Sequence, residues 1–279
     1  MMADAKMELQ VERLIRIIRK YDLDISGYDP FFLNRSLERR LQTIQCESPS
    51  IYFLILEQNA IEAKTFYHGL RVGYSAFFRD PMTFALLEQR ILPELIDQHE
   101  KKGHTGLRIW SAGCSSGQEA WSIAILLDEF CATKPHLNWR IFATDIDEPD
   151  LENARAGIYS ANEVGNIRLR HLETAFQKRD AYYVIEQRLR NRIEFSTYDL
   201  LDATTSSPPN SIFGDFDLIL CCNVLLYYRP EQQRQILAKL MQGLAPSGYF
   251  VTGETERQLV SRESHMHEVT PSVPVFRRR

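Results

Sequence analysis

The N-terminal part of the chain has the spacing of apolar side chains that is typical of amphipathic helices. Between Met7 and Gly69, leucine and isoleucine recur at helical intervals, and no segment alternates polar and apolar positions as a half-buried strand does. Turn residues interrupt the pattern at Ser26-Gly27, Asp29-Pro30 and Ser48-Pro49-Ser50. We therefore predict a small bundle of about three or four helices.

From Leu107 onward, short apolar runs alternate with helical segments. The predicted strands are Leu107–Ala112, Trp139–Thr144, Ile193–Ser196, Phe216–Cys221 and Tyr249–Thr252. The predicted helices are Gln118–Cys131, Asp150–Ala156 and Glu231–Leu244. This alternation predicts an α/β fold with a mostly parallel sheet covered on both faces. Val273–Phe276 predicts one further, antiparallel strand, which Pro274 restricts to an edge of the sheet.

Two stretches do not follow this rhythm. Residues 159–192 are rich in charge and contain Asp-Ala-Tyr-Tyr-Val-Ile-Glu from Asp180 onward, which predicts an inserted excursion with short strands. Residues 71–92 join the two patterns, and we predict a linker there that carries Phe77-Phe78-Arg79. The predicted domains are therefore a helical domain at 1–70, this linker, and an α/β domain at 93–279 that contains the insertion.

The charge, cysteine content and hydropathy of the chain argue against several classes of protein. The formal net charge of −4 gives no overall positive field that would attract nucleic acid or an anionic membrane. The five cysteines form no Cys-x-x-Cys pair and their number is odd, so we expect neither a zinc site nor a disulfide framework. The N-terminus has no secretory signal pattern, and no apolar run is long enough to span a bilayer. We therefore expect a cytoplasmic protein without a bound metal.

The first candidate functional segment follows the first predicted strand. Leu107–Ala112 runs directly into Gly113-Cys-Ser-Ser-Gly117, and a helix begins with Gln118-Glu119. Glycines at such a position let the backbone approach a nucleotide-like ligand in the crevice beyond the strand. These glycines are four apart and no lysine follows, so neither the dinucleotide fingerprint nor the phosphate loop fits. A plain strand-to-helix turn is the alternative.

Three later strand ends carry further polar residues. Asp145 ends its strand and can accept hydrogen bonds from both hydroxyls of a ribose, although capping of the next helix is the ordinary alternative. Tyr198-Asp199-Leu200 can recognise an adenine edge, and Cys222-Asn223-Val224 follows the next strand. Because the carboxyl ends of parallel strands meet at one rim of the sheet, we predict that this rim is the active site.

Four motifs resemble, in order, those of the chemotaxis receptor methyltransferases, the enzymes that methyl-esterify receptor glutamates. They are Ser75-Ala-Phe-Phe-Arg-Asp80, Ser111-Ala-Gly-Cys-Ser-Ser-Gly-Gln-Glu119, Ala143-Thr-Asp-Ile-Asp147 and Asn223-Val-Leu-Leu-Tyr227. The resemblance runs over most of the chain. It implies a Rossmann-like S-adenosylmethionine-dependent methyltransferase sheet, a small N-terminal helical domain and an inserted antiparallel β-subdomain.

The resemblance also implies a cofactor, a substrate and a set of contacts. The cofactor is S-adenosyl-L-methionine, the product is S-adenosyl-L-homocysteine, and the methyl acceptors are glutamates in the cytoplasmic helical domain of a bacterial chemoreceptor. The residues that match the family's cofactor contacts are Ser75, Arg79, Gly113, Glu119, Asp145, Asp199, Leu200, Asn223 and Val224. In some members of the family, the β-subdomain also binds a peptide tether at the end of the receptor.

Arg79 and Tyr227 are the candidate catalytic residues. The resemblance implies that Arg79 lies near the methylsulfonium end of the cofactor and Tyr227 beside the path of the substrate, so we assign positioning to Arg79 and orientation to Tyr227. The alternatives are a surface salt bridge of Arg79 with Asp80 or Glu88, and a half-buried core phenol for Tyr227. Phe77-Phe78 can stack on adenine or simply pack in the core.

The predicted helical domain carries a small basic patch. Arg35 and Arg39 are four residues apart and Arg40 is adjacent, so a helix presents them close together. Receptor helices that carry methylated glutamates are acidic, which makes this patch a candidate substrate-docking surface. A solvated helix surface whose charge Glu38 offsets is the alternative. We expect a monomer, because no extra helix or exposed apolar stripe calls for a partner.

Two departures from the family bear on the site. Gly73 stands where the family usually has Asn, so one side-chain hydrogen bond to the cofactor is absent or replaced by backbone or water. Cys222 replaces the arginine that usually precedes Asn-Val, which alters the electrostatics near Asn223. Two other functions remain open at this point: methyl transfer to a different protein or small molecule, and a non-catalytic adenosine-binding signalling module.

Overall fold

The chain divides into two compact units. The computed structural model describes residues 2–103, 106–211 and 214–279, with the backbone alone for residues 2–4. The N-terminal unit contains the residues up to Val72 together with Leu225–Arg234, and the second unit contains Gly73–Val224 together with Gln235–Arg279. The division differs from the predicted domain boundaries in two ways. Residues from Gly73 onward belong to the second unit, and Leu225–Arg234 belongs to the first.

The N-terminal unit is helical, as predicted. Its helices are α1 (Met2–Arg19), α2 (Pro30–Thr43), α3 (Pro49–Gln58) and α4 (Ala60–His68). The side chains of Asp29, Ser48 and Asn59 accept hydrogen bonds from backbone amides in the first turns of α2, α3 and α4. Proline begins α2 and α3, where its missing N–H costs no hydrogen bond within the helix. Two of the three predicted interruptions, at Asp29-Pro30 and Ser48-Pro49, are therefore helix starts, while the cap Asn59 was not predicted.

The segment Leu225–Arg234 packs on these N-terminal helices. The Asp29 amide donates to the carbonyl of Tyr227 at 2.8 Å. The rings of Tyr28 and Tyr228 stack with their centroids 5.2 Å apart. Leu225–Arg234 therefore packs with the helical unit, although the predicted boundaries assign it to the α/β domain.

Helix α3 presents a row of apolar side chains to solvent. Ile51, Leu54 and Ile55 are exposed, and their spacing puts them on one face of the helix. The opposite face buries Tyr52 and Phe53 in the core of the unit. The expectation that no apolar stripe is exposed is therefore wrong, and with it the reason for expecting a monomer. Because α3 is apolar on both faces, its sequence does not distinguish the buried side.

The second unit contains ten strands and most of the remaining helices among the described residues. The strands are β1 (Gly106–Ala112), β2 (Asn138–Asp145), β3 (Ile158–Ser160), β4 (Phe176–Arg179), β5 (Tyr182–Ile185), β6 (Ile193–Thr197), β7 (Phe216–Cys221), β8 (Leu244–Thr252), β9 (Met266–Glu268) and β10 (Val275–Arg278). The helices are α5 (Pro81–Leu86), α6 (Leu92–Lys101), α7 (Gln118–Thr133), α8 (Glu148–Ala156), α9 (Leu169–Ala175), α10 (Gln187–Arg190), α11 (Pro230–Gly243), which begins in the N-terminal unit, and α12 (Arg257–Ser261). Among the described residues, no helix combines the length and apolarity needed to cross a bilayer.

The main sheet has seven strands in the order β6-β2-β1-β7-β8-β10-β9. The strands from β6 to β8 in this order are parallel, while β10 is antiparallel to its neighbours β8 and β9. The chain places β2 and β6 on one side of β1 before it returns to β7 on the other side. The carboxyl ends of β1 and β7 therefore flank the switch point where open α/β sheets bind ligands. The predicted α/β fold class is confirmed.

The last strand does not lie at the edge of the sheet as predicted. β9 pairs with the outer side of β10, from Phe276 with Glu268 to Arg278 with Met266. Pro274 precedes β10, and its carbonyl accepts a hydrogen bond from the Thr252 amide at 3.1 Å. The missing N–H of this proline therefore restricts nothing within the strand.

The insertion forms a separate small sheet. Its three strands have the order β3-β5-β4 and are antiparallel throughout. β4 and β5 are joined by a two-residue turn in which Asp180 has a φ of 53°, a conformation that hairpin turns of this length require. This sheet lies within the predicted insertion at 159–192, apart from the first residue of β3.

Residues 71–92 are not a linker. Phe77, Phe84, Leu87 and Ile91 are buried in the hydrophobic core of the second unit. A π-helical stretch, Leu87–Ile91, joins α5 to α6 without a break. The prediction of a linker is wrong because the apolar residues of this stretch are covered by the core and only its first part is irregular.

Gly117 provides a test of how tightly the loop before α7 is packed. Its φ is 92°, and a Cβ at this position would lie 2.8 Å from the Cβ of Ala154 in α8. Alanine here adds a collision to the strain of a left-handed backbone. We expect Gly117→Ala to lower the free energy of unfolding by about 2–5 kcal/mol, as measured by urea denaturation followed by circular dichroism.

Gly103→Ala is the matched control. Gly103 also has a positive φ, of 70°, but its Cβ position is open to solvent. In this variant the free energy of unfolding should fall only by the cost of the left-handed backbone, about 1–2 kcal/mol. Equal losses in the two variants would contradict the packing of Gly117 on α8.

Candidate active site

The loop between β1 and α7 lies at the switch point of the sheet. Gly113 has a φ of 78°, which favours glycine, and a Cβ at this position would overlap the Cγ2 methyl group of Val224. The amides of Gly113 and Cys114 both donate to the carbonyl of Thr144, at 2.8 and 2.9 Å. The loop is therefore held between the ends of β2 and β7, and only glycine fits its first position.

Asp145 connects this loop to the end of β2. Its Oδ2 accepts a hydrogen bond from the Ser115 amide at 2.7 Å, and its Oδ1 accepts one from the Asp147 amide at 3.0 Å. An ionised carboxylate has about four acceptor positions, so two remain for the hydroxyls of a ribose. Burial raises the pKa of Asp145, and the two amides oppose that rise. The residue at the N-cap of α8 is Asp147, whose side chain makes no capping hydrogen bond.

Ser115 is a strained residue in the middle of the loop. Its φ of 48° lies in the left-handed region, which non-glycine residues rarely adopt. Its amide is bound by Asp145, and its hydroxyl donates to Oδ2 of Asp150 at 3.0 Å. Two carboxylates therefore hold a backbone conformation that would otherwise be unfavourable.

Glu119 is a half-buried carboxylate in the first turn of α7. The hydroxyl of Ser111 donates to its Oε1 at 2.7 Å. Burial raises the pKa of Glu119, and hydrogen bonds from Ser111 and Cys222 and the charge of Arg79 partly oppose the rise. Burial and the neighbouring Glu119 also raise the pKa of the Cys222 thiol, which therefore stays protonated. Because burial disfavours the ionised form of Glu119, a cationic ligand group beside it would stabilise that form.

Glu256 was not predicted from the sequence, although it fixes the turn after β7. Its Oε2 accepts three hydrogen bonds, from the amides of Asn223 and Gly253 at 2.9 and 3.0 Å and from the Thr252 hydroxyl at 3.0 Å. Asn223 has a φ of 60°, so this buried carboxylate supports another left-handed residue. The available signal was Gly253 followed three residues later by glutamate, which is half of a capping box.

The turn after β6 lies beside the end of β2. The Tyr198 amide donates to the carbonyl of Asp145 at 2.9 Å. Asp199 is exposed, and its Oδ1 accepts from the Leu201 amide at 2.8 Å, so this side chain orders its own turn. Leu200 is buried. The structure brings these residues to the predicted rim, while their contact with adenine stays a prediction.

Arg79 is exposed and has no carboxylate at salt-bridge distance within the described part of the chain. Its Nη1 donates to the carbonyl of Tyr74 at 3.3 Å, and its guanidinium lies over the Tyr74 ring at 5.0 Å. Asp80 caps α5, and Glu88 pairs with two other arginines. The salt-bridge alternative is therefore not realised, and the guanidinium can bind an anionic group.

The aromatic residues before Arg79 pack within the protein. Phe77 is fully buried and meets the ring of Tyr159 edge-on at 4.9 Å. The ring of Phe78 stacks on that of His171 at 5.7 Å. The structure thus supports packing over adenine stacking for both rings. Ser75, in the same segment, is half-buried.

Tyr227, the second predicted catalytic residue, belongs to the N-terminal unit. It is half-buried, and its ring lies 4.9 Å from that of Phe32 in α2. This contact agrees with the packing alternative. The orienting role of Tyr227 stays a prediction, which rests on the family resemblance of the motif Asn223–Tyr227.

Arg40 does not belong to the docking surface. Its Nε and Nη2 donate to the two carboxylate oxygens of Glu62 at 2.8 and 2.6 Å, and the Tyr52 hydroxyl donates to the same group at 2.7 Å. Glu62 raises the pKa of Arg40, and Arg40 lowers the pKa of Glu62. This pair links α2 to α4, so the prediction of docking by Arg40 is wrong.

Arg35 and Arg39 remain exposed on α2. Glu38 accepts a hydrogen bond from Asn34 at 2.8 Å, and neither arginine has an ion pair with a described residue. Phe31, one turn before Arg35, is exposed as well. We name Phe31, Arg35 and Arg39 the α2 surface.

One group of described residues has the ligand types of a metal site, namely Glu88, Glu129 and His171. Arg170 forms ion pairs with both carboxylates, at 2.6 Å to Glu88 and 3.3 Å to Glu129. A guanidinium therefore occupies the place that a cation would take, and we assign no metal to this group.

The groups at the rim fit S-adenosylmethionine chemically. Asp145 retains acceptor capacity for a ribose diol, and the half-buried Glu119 favours an ammonium group. Gly113 lets the backbone approach a ligand closely. The fold and the rim together define an α/β enzyme that binds an adenosyl cofactor at the ends of parallel strands.

Comparison with known proteins agrees with this class. The family described as CheR methyltransferase, SAM binding domain, matches residues 74–273. A chemotaxis protein methyltransferase of Salmonella typhimurium is 33% identical over 226 residues, which cover 79% of this chain and 73% of that protein. Chemotaxis protein methyltransferase 1 of Pseudomonas aeruginosa is 37% identical over 227 residues, which cover 80% and 76%. An uncharacterised 104.1 kDa protein of Rhodobacter capsulatus is 31% identical over 236 residues, which cover 84% of this chain but 24% of that protein.

The chain belongs to the CheR methyltransferase family, and S-adenosylmethionine is its cofactor. The resemblance of the four motifs is thereby confirmed. The match begins at residue 74, one residue after the start of the second unit, so the cofactor-binding domain does not include α1 to α4.

The half-buried carboxylate of Glu119 should make the stability of the free protein depend on pH. Because its pKa is raised, the folded protein binds this proton more tightly than the unfolded chain does. The stability that comes from the protonated form is present below the ordinary pKa of a glutamate and is lost as pH rises towards the higher pKa of the folded protein. Glu119→Gln should therefore unfold at a higher temperature than wild type at neutral pH, and at a similar temperature near about pH 4. Thermal unfolding across this pH range measures the difference.

The same substitution should weaken cofactor binding, because it removes the charge that favours an ammonium group. We expect about a tenfold or greater loss of affinity for S-adenosylmethionine by isothermal titration calorimetry. Glu173→Gln, at an exposed position on α9, is the matched control. It should change neither the unfolding temperature nor the affinity for S-adenosylmethionine. A less stable Glu119→Gln protein with wild-type affinity would contradict both expectations.

Proposed function

We propose that this protein transfers the methyl group of S-adenosylmethionine to glutamate side chains of bacterial chemoreceptors, forming methyl esters in chemotactic adaptation. The observation that carries the proposal is the set of Asp145, Glu119 and Arg79 at the rim of the sheet, within the matched cofactor-binding domain. Relatives named chemotaxis protein methyltransferase, which match 79% and 80% of the chain, support this class of acceptor.

The reaction needs alignment more than activation of the acceptor. A glutamate with an ordinary pKa of about 4.3 is ionised at neutral pH, so its oxygen is already a nucleophile. The bound cofactor supplies a methyl group made electrophilic by its sulfonium. Holding the two groups in line can lower the barrier by roughly 7–11 kcal/mol. No histidine is among the rim residues described above, and the reaction requires no general base.

Arg79 is the proposed positioning residue for the acceptor carboxylate. A guanidinium can donate two parallel hydrogen bonds to a carboxylate, which fixes its orientation. The carbonyl and ring of Tyr74 share this guanidinium, so it is anchored on the protein side. A carboxylate held too tightly would be a poorer nucleophile, so we assign Arg79 positioning of the acceptor and not its activation. Tyr227 keeps the proposed role of orienting the acceptor.

The α2 surface is the proposed docking site for the receptor. Phe31, Arg35 and Arg39 follow one another at intervals of four residues, so they lie on one face of α2. Two cations and an exposed aromatic ring complement a helix that carries glutamates beside apolar residues. The partner that fits this surface is the acidic helical domain of a chemoreceptor, which lies in the cytoplasm.

The β-subdomain is the proposed site for a peptide tether, where a receptor has one. β4 (Phe176–Arg179) pairs with β5 on one side and is an outer strand of its three-stranded sheet. An outer strand can bind an extended peptide by adding it to the sheet. This geometry supports the proposal without selecting a peptide sequence.

The proposed function predicts base-labile methylation of receptors. After incubation with labelled S-adenosylmethionine, chemoreceptor cytoplasmic fragments should carry label that mild alkali releases as methanol, because methyl esters hydrolyse under these conditions. Asp145→Ala should reduce incorporation by about 100-fold, since it removes both the ribose acceptor and the hydrogen bond to the Ser115 amide.

Glu152→Ala is the control for this assay, because Glu152 is an exposed carboxylate on α8. It should methylate receptor fragments at the wild-type rate. Label that resists alkali would show that the methylated group is not a carboxylate. Cofactor binding without label on any fragment would favour a non-catalytic signalling module.

Charge reversal on the α2 surface should weaken docking selectively. We expect Arg39→Glu to raise the KM for the receptor fragment about tenfold, with the Kd for S-adenosylmethionine unchanged. The effect should decrease as salt is added, because exposed charges are screened. Arg16→Glu changes the same charge at an exposed position of α1 and should leave the KM unaltered. A wild-type KM for Arg39→Glu would rule out docking by this surface.

A further inference from the structure

Gly73 lies against the carboxylate of Asp150. A Cβ on Gly73 would be 3.1 Å from Cγ and 3.2 Å from Oδ1 of Asp150, and nearer still to Oδ2. Gly73 is not among the glycines with a positive φ, so its backbone is one that other residues adopt. A side chain at position 73 would therefore meet the carboxylate of Asp150, which would have to move to make room for it.

The same carboxylate holds the loop at the switch point. Oδ2 of Asp150 accepts the hydroxyl hydrogen bond of Ser115 at 3.0 Å. Ser115 has a φ of 48°, and its amide is bound by Asp145. Without the bond to Asp150, only one side-chain hydrogen bond would oppose the relaxation of this strained residue. A change in the backbone of Ser115 would move the loop whose first residue is Gly113.

The position of Asp150 in α8 favours its ionised carboxylate. It lies in the first turn of α8, where the helix dipole favours a negative side chain. It does not serve as the helix cap, since Asp147 occupies the N-cap position. The carboxylate is therefore available for Gly73 and Ser115 rather than for its own helix.

On the sequence alone, the side-chain hydrogen bond missing at position 73 is either absent or replaced by backbone or water. The group that lies beside Gly73 is the side chain of Asp150. We propose that Asp150 is a positioning residue for the cofactor, which takes the place of a side chain at position 73 and holds the Gly113–Gly117 loop in its binding conformation. The proposal rests on S-adenosylmethionine as the cofactor and not on the identity of the methyl acceptor.

The proposal predicts that positions 73 and 150 are coupled. Asp150→Ala should weaken the binding of S-adenosylhomocysteine about tenfold, because Ser115 loses its hydroxyl partner. Gly73→Asn should weaken binding at least as much, because its side chain collides with Asp150. In the double variant the Asn side chain enters the vacated space, where its amide oxygen can accept the Ser115 hydroxyl in place of Asp150, so the affinity should return to within about threefold of wild type.

The measurement is a double-mutant cycle by isothermal titration calorimetry, with thermal unfolding of each free protein alongside. Asp150→Asn keeps an acceptor for Ser115 and should bind within about threefold of wild type. Glu152→Ala, an exposed position on the same helix, should bind as wild type does. Recovery of affinity in the double variant is a result that simple destabilisation would not produce.

Two results would overturn the proposal. One is wild-type affinity in Asp150→Ala. The other is a loss in the double variant equal to the product of the two single losses, which would show that the positions act independently. Because the readout is binding, a failure to methylate receptor fragments would leave this test intact and would count against the proposed function alone.

Discussion

Asp145 connects three strand ends of the main sheet through its carboxylate and its backbone carbonyl. Its two carboxylate oxygens accept the amides of Ser115, in the loop after β1, and of Asp147, ahead of α8. Its own carbonyl accepts the amide of Tyr198, after β6. These bonds bring the loops of the rim together before any ligand is bound. The remaining acceptor positions of the carboxylate can then bind a ribose without rearrangement of the loops.

Strain and burial concentrate at this rim. Gly113, Ser115 and Asn223 all have positive φ. The carboxylates of Asp145 and Asp150 hold Ser115, and the carboxylate of Glu256 holds Asn223. Such conformations persist only where the surroundings impose them, and they are common at functional sites. The half-buried Glu119 adds an electrostatic cost that a cationic ligand group offsets. The free protein therefore holds a site that is prepared for the cofactor at some expense of stability.

The sequence predicted what local patterns encode. The bounds of β7 were predicted as Phe216–Cys221, because a buried parallel strand is one uninterrupted apolar run. Contacts between distant residues were not predictable in this way. Arg40 pairs with Glu62, which is 22 positions away, and Leu225–Arg234 packs on the N-terminal helices. Asp150 was predicted as part of a helix, but its contacts with Gly73 and Ser115 depend on how that helix packs.

The central claim is that Asp145 both organises the rim and binds the ribose. The most direct test is calorimetric binding of S-adenosylmethionine and of an analogue without the two ribose hydroxyls, each to wild type and to Asp145→Asn. We predict that loss of the hydroxyls weakens binding to wild type by about 100-fold and to Asp145→Asn by no more than about threefold, since the partner of the hydroxyls is already altered. An equal loss in both proteins would contradict the claim.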